Sequence, residues 1–143
     1  MTIKRTGSAE WQGSLQEGQG KVSTASGVLR DTPYNFGQRF ENAPGPNPEE
    51  LIGAAHASCF SMALSMIMGE AGLTPERIAT EASVALEKDD SGFSITAIHL
   101  TTRVTSPGAD PAAFEECAEK AKAGCPVSRV LSAEITLDAK LEG

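Results

Sequence analysis

Asn47-Pro48-Glu49-Glu50-Leu51-Ile52-Gly53-Ala54-Ala55-His56-Ala57-Ser58-Cys59-Phe60-Ser61-Met62-Ala63-Leu64 decides how the chain is read. Asn47 is a good N-cap, Pro48 suits the first helical position, and Glu50 stands where a capping-box acid belongs. The helix is expected to run to Glu70 and to stop before Gly72. From Leu51 to Gly69 there is no Asp, Glu, Lys or Arg. Ile52, Ala55, Cys59, Met62 and Met66 step by three and four, an apolar stripe. Gly53, Ala54, Ala57, Ser61 and Ser65 make a small, uncharged opposite side. A helix without a charged face is expected to be buried all round. A membrane span is the competing reading, but the segment is barely long enough. His56, the serines and the glycines also make it too polar.

Outward from that helix the chain alternates between turns and pleated runs. Residues 7–41 are rich in Gly, Ser, Thr and Gln. The runs Lys21–Thr24 and Tyr34–Phe40 read as strands, with turns at Gly18-Gln19-Gly20 and Asp31-Thr32-Pro33. Ala43-Pro44-Gly45-Pro46 is a break. Beyond the helix, Ala79–Lys88 and Phe93–Val104 alternate around an Asp89-Asp90-Ser91-Gly92 hairpin turn. Asp110-Pro111 opens a second helix that ends at Gly124, with Phe114, Cys117, Ala118 and Ala121 on its apolar stripe. Cys125-Pro126 opens a short helix to about Leu131, and Ile135, Leu137 and Ala139 belong to a last strand. The expected class is α+β, a single domain over 1–143, with antiparallel sheets wrapped around the central helix. A lone domain of this size would struggle to cover that helix on every side, which implies a dimer.

The chain has 143 residues, a net charge of −7 and three cysteines. One ordinary domain fits that length. The acidic balance argues against nucleic acid or an anionic membrane as partner. Three cysteines without tight spacing disfavour a disulfide framework and a zinc finger. A polar start with no apolar stretch argues against a secretory signal. A cytoplasmic protein with one or two reactive thiols is expected.

Cys59 reads either as a small hydrophobe in the core or as a nucleophile needing help to ionise, since burial raises a thiol pKa. His56, three residues earlier on the helix, is a base, a hydrogen-bond partner or a satisfied helix histidine. Cys125 precedes Pro126 at a helix start, where backbone N–H groups favour a thiolate; the alternative is a thiol in place of a serine cap. Cys117 reads as structural. Arg39, between Phe36 and Phe40, is an exposed strand cation or one tucked against aromatic surface, where it would lower a nearby thiol pKa. Glu49 is a first-turn carboxylate that could orient an arginine in a bidentate pair. A metal site from His56, Cys59 and Cys125 has no zinc spacing behind it. No nucleotide, esterase or zincin motif is present.

The 47–64 run resembles the signature of the OsmC/Ohr family, the osmotically inducible and organic hydroperoxide resistance proteins. A second segment, Ala121-Lys122-Ala123-Gly124-Cys125-Pro126-Val127-Ser128, is similar to the family's other cysteine motif. Trp11 within Gly7–Gly13, Ser26-Gly27-Val28-Leu29 and Ala133–Leu137 also fit, so the resemblance covers nearly the whole chain. His56 and the Tyr34–Phe40 segment lean to the OsmC branch. The resemblance implies an intertwined homodimer with its sites at the dimer interface. It implies Cys59 as the peroxidatic thiol, Cys125 as the resolving thiol, Arg39 as the cation that stabilises the thiolate, and Glu49, or else Glu50, as the carboxylate holding it. The implied activity is reduction of organic hydroperoxides, more weakly of hydrogen peroxide, to alcohols. A sulfenic acid and a Cys59–Cys125 disulfide form in turn, without cofactor or metal, and a dithiol of the lipoyl type serves as reductant. Two other readings use the same residues: a non-enzymatic redox-sensing or stress-binding protein, and a structural dimer with inert thiols.

Overall fold

The computed structural model describes all residues, Met1–Gly143, and the backbone gathers into two compact units, Met1–Leu51 and Ile52–Gly143. In the first unit β1 (Gly7–Gln12), β2 (Gln19–Thr24) and β3 (Thr32–Tyr34) form an antiparallel sheet in the order β1-β2-β3. Gly20 stands opposite Trp11 on one side and Tyr34 on the other. Those rings close over it with centroids 5.5 Å apart. A Cβ at Gly20 would come within 2.6 Å of the Trp11 ring and 2.7 Å of the Tyr34 ring, so only glycine fits beneath the pair.

The expected Tyr34–Phe40 strand is not one. The strand ends at Tyr34, and Phe36–Phe40 is a short helix, α1. Asn35 caps it, accepting the Gln38 N–H at 3.2 Å, while the Asn35 N–H donates to Gln38 Oε1 at 2.6 Å. That reciprocal capping box satisfies two otherwise orphan donors. It brings Phe36 and Phe40, four apart, into ring contact at 4.8 Å. Arg39 is therefore a helical residue.

The long helix α2 (Pro48–Glu70) begins in the first unit and runs into the second. Asn47 Oδ1 accepts the Glu50 N–H at 2.8 Å, as its capping role requires. In the second unit β4 (Arg77–Asp89) and β5 (Gly92–Thr105) make the expected antiparallel hairpin. α3 (Pro111–Gly124) follows, with Asp110 Oδ2 accepting the Ala113 N–H at 3.1 Å. α4 is Pro126–Val130, and β6 (Glu134–Leu141) pairs with β5 in parallel. This last pairing departs from an all-antiparallel expectation. The two helices between β5 and β6 form a crossover, which returns the chain in the same direction.

The core of this unit joins Phe60, Leu64 and Met68 of α2, Ile98, Leu100 and Val104 of β5, and Phe114, Cys117, Ala118 and Ala121 of α3. The α3 stripe is the one expected. The α2 stripe is not. Gly53, His56, Phe60, Leu64 and Met68 are buried, whereas Met62 is 76% and Met66 61% exposed. Gly53 lets the helix approach β4; a Cβ there would meet the Ala82 carbonyl at 3.2 Å and Val84 at 3.4 Å. The expectation of a helix buried all round is thus not met within one chain. By length and hydropathy α2 could cross a membrane, yet its buried stripe packs into this core.

Candidate active site

The end of α3 and the start of α4 fix one thiol. Cys125 lies between them, its N–H donating to the Ala121 carbonyl at 2.9 Å. Pro126 behind it cannot continue α3 and opens α4 instead. Cys125 is fully buried and turns toward α2. There the half-buried Cys59 meets it, the two sulfurs sharing a hydrogen bond at 2.9 Å. That is less than an ångström beyond a disulfide bond length of about 2.05 Å. Residues 66 apart in sequence are poised to bond.

The donors around the two sulfurs are unequal. Beside the proton the two sulfurs share, the Ser128 hydroxyl and the Ser128 and Val127 backbone N–H groups face Cys125, and the Val127 N–H faces Cys59. Burial opposes ionisation of Cys125. The hydrogen bonds, the one shared with Cys59 foremost, outweigh it and bring its thiol below the ordinary range. Burial, and then the proton it shares with Cys125, push the Cys59 thiol up. Of the two thiols, Cys125 is the more readily ionised.

His56 does not touch Cys59. It is completely buried, and Nε2 bonds the Ser128 hydroxyl at 2.7 Å, while Nδ1 has no partner. Burial holds its pKa below the ordinary 6.5, so the ring is neutral. The Cys–His dyad left open by the sequence is replaced by a His56–Ser128–Cys125 chain. Ser128 lies within the second cysteine motif, where its residue type alone assigns it no role. Its signal was its place three residues after Cys125, the spacing at which a first-turn residue faces back onto a cap.

The cation lies in the first unit. Arg39 on α1 and Glu49 in the first turn of α2 form a bidentate pair, Nε to Oε1 at 2.9 Å and a terminal nitrogen to Oε2 at 3.2 Å. The carboxylate is mostly buried and the guanidinium about one-third exposed. This resolves the choice between neighbours: Glu49 holds the arginine, and Glu50 is exposed. The guanidinium also lies 5.4 Å from the Phe40 ring centre. Around it, Trp11, Leu15, Tyr34, Phe36 and Phe40 line an open cleft of about 440 Å³. Cys117 is buried in the core, its sulfur 4.0 Å from the Ile67 carbonyl, and belongs to neither pair. No group of three or more His, Cys, Asp or Glu side chains is arranged to hold a metal ion.

Both sequence motifs thus end in side-chain pairs. The family model for OsmC-like proteins matches residues 40–140, which include Glu49 and both cysteines of the close pair. The chain belongs to the OsmC-like family. It is 58% identical to Peroxiredoxin OsmC of Escherichia coli over 99% of each chain. It is 34% identical to organic hydroperoxide resistance protein OhrA of Bacillus subtilis over 82% of this chain and 83% of that one. The crystal structure of B. subtilis OhrB matches with a TM-score of 0.67 at 26% identity, covering 96% of this chain and 98% of OhrB. An OsmC-like protein of Mycoplasma pneumoniae shares the fold, with a TM-score of 0.76 at 15% identity and full coverage of both chains. The OsmC-like fold is the α+β arrangement described above, two small sheets and a long helix.

Proposed function

We propose that this OsmC-like protein is a thiol peroxidase that reduces organic hydroperoxides to alcohols through Cys59 and Cys125. The observation that carries the reading is the pair of free sulfurs 2.9 Å apart, one half-exposed and one buried. An outer thiol that reaches solvent can meet a peroxide, and an inner thiol against it can close a disulfide. The names of its relatives, a peroxiredoxin and organic hydroperoxide resistance proteins, support it.

The Cys59 thiolate attacks the distal oxygen of ROOH. An S–O bond forms, the O–O bond breaks, and the alkoxide takes up a proton to leave as ROH. The Cys125 thiolate then attacks the Cys59 sulfenic sulfur. The S–S bond forms, the S–O bond breaks, and hydroxide leaves with a proton as water. A dithiol returns the pair to its reduced form, a lipoyl-type dithiol being the expected reductant.

Cys59 needs a cation to ionise at neutral pH, because burial and the shared proton both act against it. Arg39, held by Glu49, is assigned that role. Along α2, Glu49 and Cys59 are ten residues apart, a rise of about 15 Å. We therefore assign the meeting of cation and thiol to a homodimer. The exposed Met62 and Met66 face of α2 is the apolar surface that a second copy would cover. The aromatic cleft beside Arg39 favours alkyl and aryl hydroperoxides over hydrogen peroxide.

The test is a peroxidase assay with cumene hydroperoxide and hydrogen peroxide, reduced first by dihydrolipoamide and then by thioredoxin. Faster turnover of the organic substrate with the lipoyl dithiol is expected. No peroxide consumption with either reductant would leave a redox-sensing role for the same thiols.

A further inference from the structure

His56 and Ser128 take no part in the reaction as described, yet they occupy expensive positions. His56 is fully buried and Ser128 nearly so, and their 2.7 Å bond joins residues 72 apart, tying α2 to α4. A buried polar ring is destabilising unless hydrogen-bonded, and His56 leaves Nδ1 without a partner. Core packing alone would be better served there by a leucine. We propose that His56 and Ser128 are a positioning pair for Cys125: His56 orients the Ser128 hydroxyl so that it donates to the Cys125 sulfur and aims that sulfur at Cys59. The proposal rests on the reading of Cys125 as the resolving thiol.

The argument is one of proton counting. A serine hydroxyl has one proton and two lone pairs. If the proton goes to the Cys125 sulfur, the oxygen must accept from His56, so the imidazole carries its proton on Nε2. Burial keeps the ring neutral, and the Nε2–H tautomer leaves the inner Nδ1 as a bare lone pair, which matches its lack of a partner. In the other tautomer Nε2 would accept, and the hydroxyl proton would turn away from sulfur. The ring therefore determines the direction in which Ser128 points. Together with the Val127 and Ser128 backbone N–H groups, the hydroxyl stabilises the thiolate that attacks the sulfenic sulfur. The proton Cys125 gives up passes to solvent, and one is taken up again as hydroxide leaves Cys59 as water.

The pair should thus govern the second step and not the first. The experiment is a single turnover of fully reduced protein with one equivalent of cumene hydroperoxide, following alcohol release and, in quenched and alkylated samples, disulfide formation. In Ser128→Ala disulfide formation should slow by about tenfold relative to alcohol release, the loss of one hydrogen bond to a charged sulfur. Excess peroxide should then drive more Cys59 to sulfinic acid. Ser128→Thr, which keeps the hydroxyl, should restore the ratio. His56→Gln, whose amide nitrogen can stand where Nε2 does, should stay near the wild-type ratio, and the shorter His56→Asn should resemble Ser128→Ala. A wild-type ratio in Ser128→Ala, or equal slowing of both steps that threonine does not rescue, overturns the proposal. If Ser128→Ala does not fold, the Gln and Asn variants decide, and equal ratios in the two overturn it. Cys125→Ser is the control for the underlying reading. If it closes the cycle as fast as wild type, the resolving role itself fails; if it blocks the cycle while Ser128→Ala does not slow it, only the positioning pair fails.

Discussion

Arg39 and Glu49 meet on polar ground, a guanidinium one-third open to water above an aromatic cleft, whereas Cys59 and Cys125 meet at the edge of an apolar core. The two pairs differ in how each is held. The charged pair is local: ten residues apart, it needs only a capped turn of α1 and the first turn of α2. The thiol pair is made by long-range packing, since α2 and the α3–α4 junction are brought together by the core of the second unit. A charge tolerates water and some motion. A disulfide tolerates neither a gap nor the wrong angle. On the proposed mechanism, the step that needs the closest geometry is therefore built into the better-packed region.

Substitutions can break that comparison one side at a time. Cys59→Ser should abolish hydroperoxide reduction, measured as loss of cumene hydroperoxide with excess dithiol. Retention of most of the rate would remove the thiol side from the chemistry. Cys125→Ser should release alcohol once per Cys59 and then stall, with sulfinic acid at Cys59 visible by mass spectrometry. On the charge side, Arg39→Ala should slow peroxide reduction at pH 7 by about ten- to a hundredfold, because a cation beside a thiol lowers its pKa by roughly one to three units. The sign is fixed: without the cation the Cys59 pKa rises, less thiolate is present at pH 7, and the rate recovers as pH is raised. Glu49→Gln, which loosens the arginine without removing it, should cost only a few-fold.

A further comparison concerns His56 alone. Its pKa in the folded protein lies below the ordinary value, so the unfolded chain binds a proton first as pH falls. Its contribution to stability is therefore present above about pH 6.5 and declines below it. Denaturant unfolding at pH 7.5 and 5.5 should show this fall, and His56→Gln should reduce it. The smallest effect belongs to Cys117→Ser, which should leave turnover unchanged, because its sulfur belongs to neither pair. It should destabilise the fold by about 1–3 kcal/mol by burying a hydroxyl in the core, read from thermal unfolding.

The two regions were also unequally legible in the sequence. Asp110-Pro111 and Cys125-Pro126 carry capping and breaking chemistry that depends on neighbouring residues alone, and α3 and α4 begin where those pairs predict. The β4–β5 hairpin followed from alternation and its turn. Tyr34–Phe40 misled, because Tyr34, Phe36, Gln38 and Phe40 alternate like a strand. The Asn35–Gln38 capping box and the four-residue spacing of the two phenylalanines carried the helical reading, and both won. α2 was found as a helix but with its buried side out of phase. With no charge between Leu51 and Gly69, nothing in the sequence marks an outer face. The choice between the Met62 and Phe60 sides is then made by packing on β5 and α3. Glu49 could not be told from Glu50 by type, and only the turn of the helix separates them. The His56–Ser128 contact was invisible because it joins positions 72 apart.

The span between the thiols has a thermodynamic corollary. A covalent link between positions 66 apart removes a large share of the freedom of the unfolded chain while adding little to the native one. By the chain-entropy relation that is worth about 4 kcal/mol for a loop of this size. The oxidised protein should therefore melt well above the reduced one, and the difference should vanish in Cys125→Ser. Each turn of the cycle would then move the protein between a more and a less heat-resistant form, so its melting temperature in a cell extract would register how far peroxide supply outruns the dithiol.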